Sequence, residues 1–430
     1  MKRIVSLLLV LGLMAGLLVM SGCTAKPKET EKITIEYWQY TFDTKVVAID
    51  KLIAQFEAAN PNIKVVHNTY PYDNFQQKLT ASIPAGVGPD VVTLFYGWLP
   101  KYITGDYLQP LPEKYFPLNT VKAEFSDVVK ASIVDDKLWS LPTTVRTLAL
   151  LWNKDHFTAA GLDPEKPPTT WAELVEMSKQ LTKREANGQL TQAGFAYNTA
   201  GQGHNWLREV LLPQAGVQLL SNDGRTVTWN STPAAYDALQ WFVDLAKKEK
   251  VGEIGFFDND SNAFINGKAS ITVDGSFRLG TLRKNAPDLK FGVAELPVKE
   301  AGDDKLTFAS YWTHAITKSA SGAKLEAAAK FLQFITSEAS MELYMKETGE
   351  LAARKSFAAR KDLSEDPKLG GFVRGLAYAE TTFMPDESII RTAMIDAVDR
   401  MLLQGASAKD SLDQAAKDAQ AAYDEFYKGK

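Results

Sequence analysis

The sequence contains a single cysteine, Cys23, among 430 residues. One thiol cannot form an internal disulfide, and it cannot supply the thiolate cluster of a structural zinc site. The four histidines are far apart in the sequence, so no HExxH spacing occurs; they are His67, His156, His204 and His314. We therefore expect that the protein holds neither a metal ion nor another cofactor.

An excess of positive charge is also lacking. The chain has 48 Lys and Arg residues against 52 Asp and Glu residues, which gives a formal net charge of −4. A protein that binds nucleic acid normally shows a basic stripe, so nucleic acid is not an expected partner. The hydrophobic content of 45% and the length are those of a globular protein with two or three domains, each able to bury its own core.

Long apolar runs are missing from the chain except at its start. Residues 4–20 are almost entirely apolar and follow the basic pair Lys2-Arg3. The run is short for a transmembrane helix, and it ends in Met20-Ser21-Gly22 directly before Cys23. This segment resembles a bacterial lipoprotein signal, in which the cysteine becomes the lipidated first residue after cleavage. An ordinary secretory signal with a cysteine nearby is the alternative.

We accordingly interpret residues 1–22 as a signal peptide and residues 23–32 as a tether. The tether is polar and rich in Lys and Glu, which is typical of a flexible linker. The lipid on Cys23 would be the only membrane attachment. We expect a monomer outside the cytoplasm, anchored by lipid to the cell membrane at the cell surface or at its periplasmic face.

After the tether, strand and helix patterns alternate. Apolar residues recur with a period of two in residues 33–37 and at helical spacing in residues 46–56. Two further strands are predicted at 63–67 and 90–95, and a long helix at 323–344. The alternation indicates an α/β fold with mostly parallel sheets.

Nine short motifs then occur in one order along the chain. They are residues 88–92 (GPDVV), 136–142 (DKLWSLP), 151–154 (LWNK), 168–174 (PTTWAEL), 263–269 (AFINGKA), 275–277 (GSF), 291–297 (FGVAELP), 328–332 (AAKFL) and 353–356 (ARKS). In these motifs the chain resembles the family 1 extracellular solute-binding proteins, the sugar-capturing lipoproteins of bacterial ABC importers, a family that includes maltose-binding protein.

The resemblance implies a two-lobed, type II periplasmic-binding-protein fold, in which each lobe is a mostly parallel sheet flanked by helices. It also implies that the protein is not an enzyme. A carbohydrate, expected to be an oligosaccharide, would bind between the lobes, and the partners would be the transmembrane permease subunits of an ABC importer. The implied division is lobe one at 33–143 and 313–348, lobe two at 149–308 and 353–430, and hinge crossovers at 144–148, 309–312 and 349–352.

Sugar binding needs aromatic planes for the C–H face of a pyranose, and carboxylates, amides or Arg for its hydroxyl rim. In α/β folds such groups follow the ends of strands. On this basis and that of the resemblance, we predict that the ligand is bound by Trp38, Tyr40, Asp43, Tyr96, Arg146, Asn205, Trp206, Asp274, Phe277, Arg278, Tyr311, Trp312, Glu350 and Arg354.

Some of these residues have specific expected roles. Trp206 follows a glycine-rich bend, so we expect an exposed platform for a sugar ring. Phe277 occupies the position at which the family usually carries a stacking Trp. Arg146 either contacts the ligand or forms a salt bridge between the lobes. Of Tyr96 and Trp98, one is expected to face the cleft and the other the core, and the sequence does not decide between them.

Two other functions are compatible with these residues. A secreted glycosidase also needs aromatic residues and carboxylates, although no segment isolates a catalytic carboxylate pair. A receptor for glycerol phosphate or for an anionic sugar such as a uronate is the second alternative, because Arg146, Arg278 and Arg354 are predicted near the cleft.

Overall fold

The computed structural model describes residues 32–428. The predicted signal peptide, Cys23 and all of the tether before residue 32 lie outside the described residues. The strands are β1 Ile33–Tyr40, β2 Ile63–Tyr70, β3 Val91–Phe95, β4 Leu108–Gln109, β5 Ile133–Val134, β6 Lys137–Leu138, β7 Ser140–Leu141, β8 Thr144–Asn153, β9 Lys183–Arg184, β10 Leu190–Ala196, β11 Ala269–Gly275, β12 Phe291–Ala294, β13 Thr307–Ser310, β14 Trp312–Thr317, β15 Leu351–Ala352 and β16 Ala379–Glu380.

Helices cover these strands. They are α1 Asp43–Ala59, α2 Tyr72–Ser82, α3 Leu99–Thr104, α4 Leu118–Glu124, α5 Lys154–Ala159, α6 Trp171–Leu181, the helical segment α7 at 199–214, α8 Pro233–Lys247, α9 Asp260–Ile265, α10 Arg278–Asn285, α11 Gly322–Ile335, α12 Glu338–Thr348, α13 Lys355–Ala358, α14 Lys361–Ser364, α15 Gly370–Gly375, α16 Glu387–Leu403 and α17 Ala408–Tyr427. Between residues 32 and 428, no helix is both long enough and apolar enough to cross a membrane.

The first lobe is built on a sheet with the strand order β2-β1-β3-β14-β4. Strand β1 pairs in parallel with β2 and β3, and β14 runs antiparallel to β3. Helix α1 buries Ile49, Leu52 and Phe56, and the Phe56 ring packs edge-on against Phe331 of α11, with the ring centroids 5.2 Å apart. This packing explains the helical spacing of apolar residues that the sequence shows in α1.

The second lobe is built on a sheet with the order β16-β13-β8-β11-β10-β9, in which β12 and β15 also pair with β8. Strand β8 is the centre of this sheet. All of its residues are buried except Arg146, which is partly exposed. The start of β8 pairs with β15, Arg146 and Thr147 pair with β13, and the remainder pairs with β11 and β12.

The fold is the predicted two-lobed α/β fold, and its sheets are mixed. Parallel pairing holds for β1–β3 and for β10–β11, whereas β8 and β14 run antiparallel to their neighbours. Strands β13 and β14 are separated only by Tyr311, so the extended chain passes directly from one sheet to the other. Two parallel strands need a long connection between them, which is usually a helix. The direct passage from β13 to β14 contains no such connection.

The helix predicted at 323–344 is two helices, α11 and α12. The break lies at Thr336-Ser337, where the Thr336 hydroxyl donates to the Leu332 carbonyl and the Ser337 hydroxyl accepts from the backbone N–H of Ser340. Ser337 is thus the N-cap of α12. Short hydroxyl side chains compete with the helical backbone hydrogen bonds in this way, and apolar spacing alone does not reveal it.

Candidate ligand-binding site

Aromatic side chains gather at one edge of the first sheet. Tyr40 ends β1, Phe95 ends β3, and Trp312 begins β14 directly opposite Phe95. The Tyr40 and Trp312 ring centroids are 4.0 Å apart, and those of Trp98 and Trp312 are 5.2 Å apart. Tyr72, which is exposed, completes the group, with its ring centroid 5.7 Å from that of Tyr40. We call these five rings the aromatic floor.

The second lobe places Phe277 and Arg146 against this floor. Phe277 follows β11, and its ring centroid is 6.3 Å from that of Phe42, which precedes α1. The guanidinium carbon of Arg146 is 4.9 Å from the Phe277 centroid and 5.8 Å from the Phe95 centroid. The Arg146 Nε donates to the Ser310 hydroxyl at 2.8 Å. The Arg146 guanidinium of the second lobe therefore contacts the aromatic floor directly, and the Phe277 ring lies beside the floor, against Arg146 and Phe42.

Behind Phe277 lies a cluster of charged groups. Arg278 Nε donates to Asp274 Oδ2 at 2.6 Å, and the Ser261 hydroxyl donates to the same oxygen at 3.0 Å. Asp260 is buried beside this cluster, and burial, with the Asp274 charge, raises the pKa of Asp260 to about 7. The positive charge of Arg278 is thus already balanced by a carboxylate of its own lobe.

A buried ion pair lies at the crossovers. Lys45 Nζ of α1 is 2.8 Å from Glu350 Oε1, and both side chains are almost completely buried. The Thr144 hydroxyl at the start of β8 donates to the other Glu350 oxygen at 2.7 Å. Burial alone would raise the pKa of Glu350, but the Lys45 and Arg146 charges hold it below its usual range. Glu350 therefore carries a negative charge between two cations.

A second polar cluster links the lobes through a charged pair that we did not predict. Arg208 Nε donates to Glu209 Oε1 at 2.6 Å, and both side chains are 1% exposed. The Thr382 hydroxyl donates to Glu209, while the Tyr96 hydroxyl of the first lobe donates to the Thr382 carbonyl at 3.3 Å. A sequence signal for the pair did exist, because Arg208-Glu209 interrupts an otherwise apolar run in α7.

The predicted site residues divide into three groups in space. Tyr40, Arg146, Asp274, Phe277, Arg278, Trp312 and Glu350 belong to the assembly around the aromatic floor. Tyr96, Asn205 and Tyr311 belong to the second cluster, where Tyr96 stacks on Tyr311 and Asn205 accepts a hydrogen bond from Arg208. Trp38, Asp43, Trp206 and Arg354 lie elsewhere.

Trp38, Asp43 and Arg354 are placed outside both clusters by their own partners. Trp38 is two residues before the strand end, under Tyr70, and its Nε1 donates to Glu36. Asp43 is exposed and pairs with Lys284 of the second lobe at 2.9 Å. Arg354 pairs with Glu124 and lies over Phe125. Each of these three side chains thus contacts neighbours other than the aromatic floor.

The expectation that Trp206 is exposed is wrong. Its side chain is 1% exposed and packs among Phe195, Trp241 and Phe242. The glycine-rich bend before it is a kink, because Gly201 has non-helical backbone angles, and the helical residues 204–214 that follow it turn Trp206 inward. Trp98 and Tyr96 are both buried; Trp98 lies in the aromatic floor and Tyr96 in the second cluster.

Within residues 32–428, no three His, Cys, Asp or Glu side chains are arranged to hold a metal ion. The charged side chains described above bind one another instead, as Lys45–Glu350, Arg208–Glu209 and Arg278–Asp274. Aromatic planes, hydroxyl groups and the Arg146 guanidinium come together where the two lobes meet.

Comparison with known proteins gives consistent results for fold and family. Residues 43–342 match the family model described as bacterial extracellular solute-binding protein. The chain is 27% identical over 338 residues to the sn-glycerol-3-phosphate-binding periplasmic protein UgpB of Shigella dysenteriae, covering 75% of each chain.

Two solved structures show the same fold. A solute-binding protein of an ABC transporter from Thermotoga lettingae, bound with α-D-tagatose, superposes with a TM-score of 0.79 at 21% identity, covering 91% of this chain and all of that one. The cyclic α-maltosyl-1,6-maltose binding protein of Arthrobacter globiformis superposes with a TM-score of 0.75 at 25% identity, covering 92% and 100%.

Proposed function

Because the chain belongs to the bacterial extracellular solute-binding proteins, we propose that it captures a carbohydrate between its lobes. In this proposal the ligand is an oligosaccharide, which the protein delivers to the permease subunits of an ABC importer. The family places the working protein outside the cytoplasm. We further propose that it is a monomer and performs no catalysis.

The observation that carries this proposal is the aromatic floor with Arg146 and Phe277 beside it. Pyranose rings present flat C–H faces, which bind to aromatic planes, and the hydroxyl rim needs polar donors such as Arg146. Burying one aromatic contact contributes roughly 1.5–3 kcal/mol, so two or three platforms support micromolar affinity after the costs of association.

The binding partners of the similar proteins support a carbohydrate ligand. The Thermotoga protein holds a monosaccharide, and the Arthrobacter protein is named for a cyclic oligosaccharide. UgpB is named for sn-glycerol 3-phosphate. We favour the carbohydrate because a glycerol phosphate has no ring to cover Tyr40, Trp98 and Trp312, whose planes dominate this site.

We propose that ligand binding closes the lobes by a hinge motion at residues 144–148, 309–312 and 349–352. Two contacts join the lobes: exposed Asp43 pairs with Lys284, and the Nε1 of Trp98 in the aromatic floor donates to Glu387 at 3.3 Å. A ligand that touches both lobes stabilises the closed arrangement by the contacts it makes only there.

A glycan panel tests the function. We expect the thermal unfolding midpoint to rise with one class of oligosaccharide, because a ligand at 100 times its dissociation constant adds about 2.7 kcal/mol. Glycans recovered from the same mixtures should be chemically unchanged. Turnover of any glycan would favour the glycosidase alternative, and stabilisation by glycerol phosphate alone would favour the phosphate receptor.

We also propose that Cys23 carries the lipid that anchors the protein to the cell membrane. Cys23→Ala should abolish incorporation of labelled fatty acid, because the thiol is the only acceptor in the sequence. The variant should be released or should retain its signal peptide, as shown by membrane fractionation and by intact mass. A Cys23→Ala protein that still incorporates the fatty acid would contradict the anchor.

A further inference from the structure

We propose that the ligand carries a carboxylate, as in an oligosaccharide with a hexuronate residue, and that this carboxylate binds Arg146. The inference rests on the proposed carbohydrate-binding function. It arises from the distribution of charge around the aromatic floor, in which Arg146 differs from the other cations in having no ion-pair partner among residues 32–428.

The other cations near the two clusters are neutralised by partners of the protein itself. Arg278 is held by Asp274 at 2.6 Å, Lys45 by Glu350 at 2.8 Å, and Arg208 by Glu209 at 2.6 Å. Arg354, which the sequence analysis also placed near the cleft, is paired with Glu124 outside it. None of these guanidinium or ammonium groups needs an anion from the ligand.

Arg146 makes no ion pair within residues 32–428. Its only described hydrogen bond is from Nε to the neutral Ser310 hydroxyl, which leaves both terminal nitrogens without a described partner. The nearby Glu350 is shared with Lys45, so these three ionised groups together carry a net charge of +1. A partly buried positive charge without a counterion is unfavourable and is best satisfied by an anion.

The position of Arg146 indicates which part of the ligand carries the anionic group. The guanidinium lies over the rings of Phe277 and Phe95, one from each lobe, where a stacked sugar ring would end. Its two terminal nitrogens form the fork that matches a carboxylate. A uronate residue combines the two required features, because its carboxylate is attached directly to a pyranose ring that can stack.

Isothermal titration of the mature protein with matched sugar pairs tests this inference. Each pair consists of an oligosaccharide that ends in galacturonate or glucuronate and the neutral compound with a hydroxymethyl group in place of the carboxylate. We expect one uronate to bind roughly ten- to a hundredfold more tightly than its neutral partner, as charge-assisted hydrogen bonds allow.

Substitutions at Arg146 assign the preference to this residue. Arg146→Gln should abolish it, and Arg146→Lys should retain a part, because the charge remains and the fork is lost. Arg184→Gln, which removes an exposed cation from the edge strand β9, is the control and should keep the full preference. The melting temperatures of the free variants check that the lobes remain folded.

The outcomes separate the inference from the function. A neutral oligosaccharide that binds as tightly as its uronate partner overturns the carboxylate and leaves the carbohydrate-binding function intact. A uronate preference that survives in Arg146→Gln overturns the assignment to Arg146. Absence of binding to every sugar tested overturns the proposed function, and this inference with it.

Discussion

Glu350→Ala should lower the free energy of unfolding by about 3–5 kcal/mol, because it leaves a buried ammonium group without its anion. Lys45 Nζ is 2.8 Å from Glu350, and neither side chain is more than 4% exposed. The substitution also leaves Lys45 and Arg146 to repel each other, since Glu350 is the carboxylate that both of them face. Denaturant unfolding of the mature protein measures the loss.

The matched control is the double variant Lys45→Met, Glu350→Leu. Replacing both partners of a buried ion pair by apolar groups of similar volume is often neutral, so the double variant should recover most of the stability. The Thr144 hydroxyl loses its acceptor in both variants and does not distinguish them. A Glu350→Ala protein as stable as the parent would show that water reaches this ion pair.

Trp206→Ala should have a comparable effect on stability, again about 3–5 kcal/mol, through the cavity left in the core. The indole is 1% exposed, and its ring centroid is 5.4 Å from that of Phe195, 5.8 Å from Phe242 and 5.9 Å from Trp241. Trp206→Phe should lose less stability, because the smaller ring leaves a smaller cavity. Calorimetric melting of the free protein measures both variants.

Phe277→Ala is the contrasting substitution at the site. We expect an affinity loss of about 1.5–3 kcal/mol for the identified sugar, roughly ten- to a hundredfold, because a flat apolar surface is removed. The melting temperature of the free protein should change less than in Trp206→Ala. Unchanged affinity in Phe277→Ala would show that this ring does not contact the sugar. A large loss of affinity with unchanged stability in Trp206→Ala would show that Trp206 does contact the sugar, as the sequence first predicted.

Local patterns predicted the elements of the fold well. The strand β1 and the helix α1 follow from periods of two and 3.6 in apolar residues, and both occur where the sequence places them. The break between α11 and α12 was missed, because it depends on the Thr336 and Ser337 hydroxyl groups within an otherwise apolar helical pattern. The antiparallel direction of β8 and β14 relative to their neighbours was also not predicted, because strand direction depends on the connections between the lobes.

Some of the predicted site residues lie at or close to the end of a strand, and their role in ligand binding stays a prediction. Tyr40, Phe277 and Trp312 are such residues, and they lie in one assembly. The expectation of an exposed Trp206 was wrong, because the helical residues that follow the kink at Gly201 turn this side chain into the core. Arg208 and Glu209 were not predicted, because their position within an apolar run does not by itself show that the pair is buried near the other lobe.

The sequence by itself determined the order of strands and helices, the family, and the position of the only thiol. These properties depend on residues that are close together along the chain, and the periodicity of apolar residues and the spacing of motifs reveal them directly. The tertiary structure alone decided that Tyr40 packs on Trp312, that Trp206 is buried and that Arg146 forms no ion pair within residues 32–428. Each of these facts depends on which distant segments pack together, and both burial and charge compensation are properties of that packing.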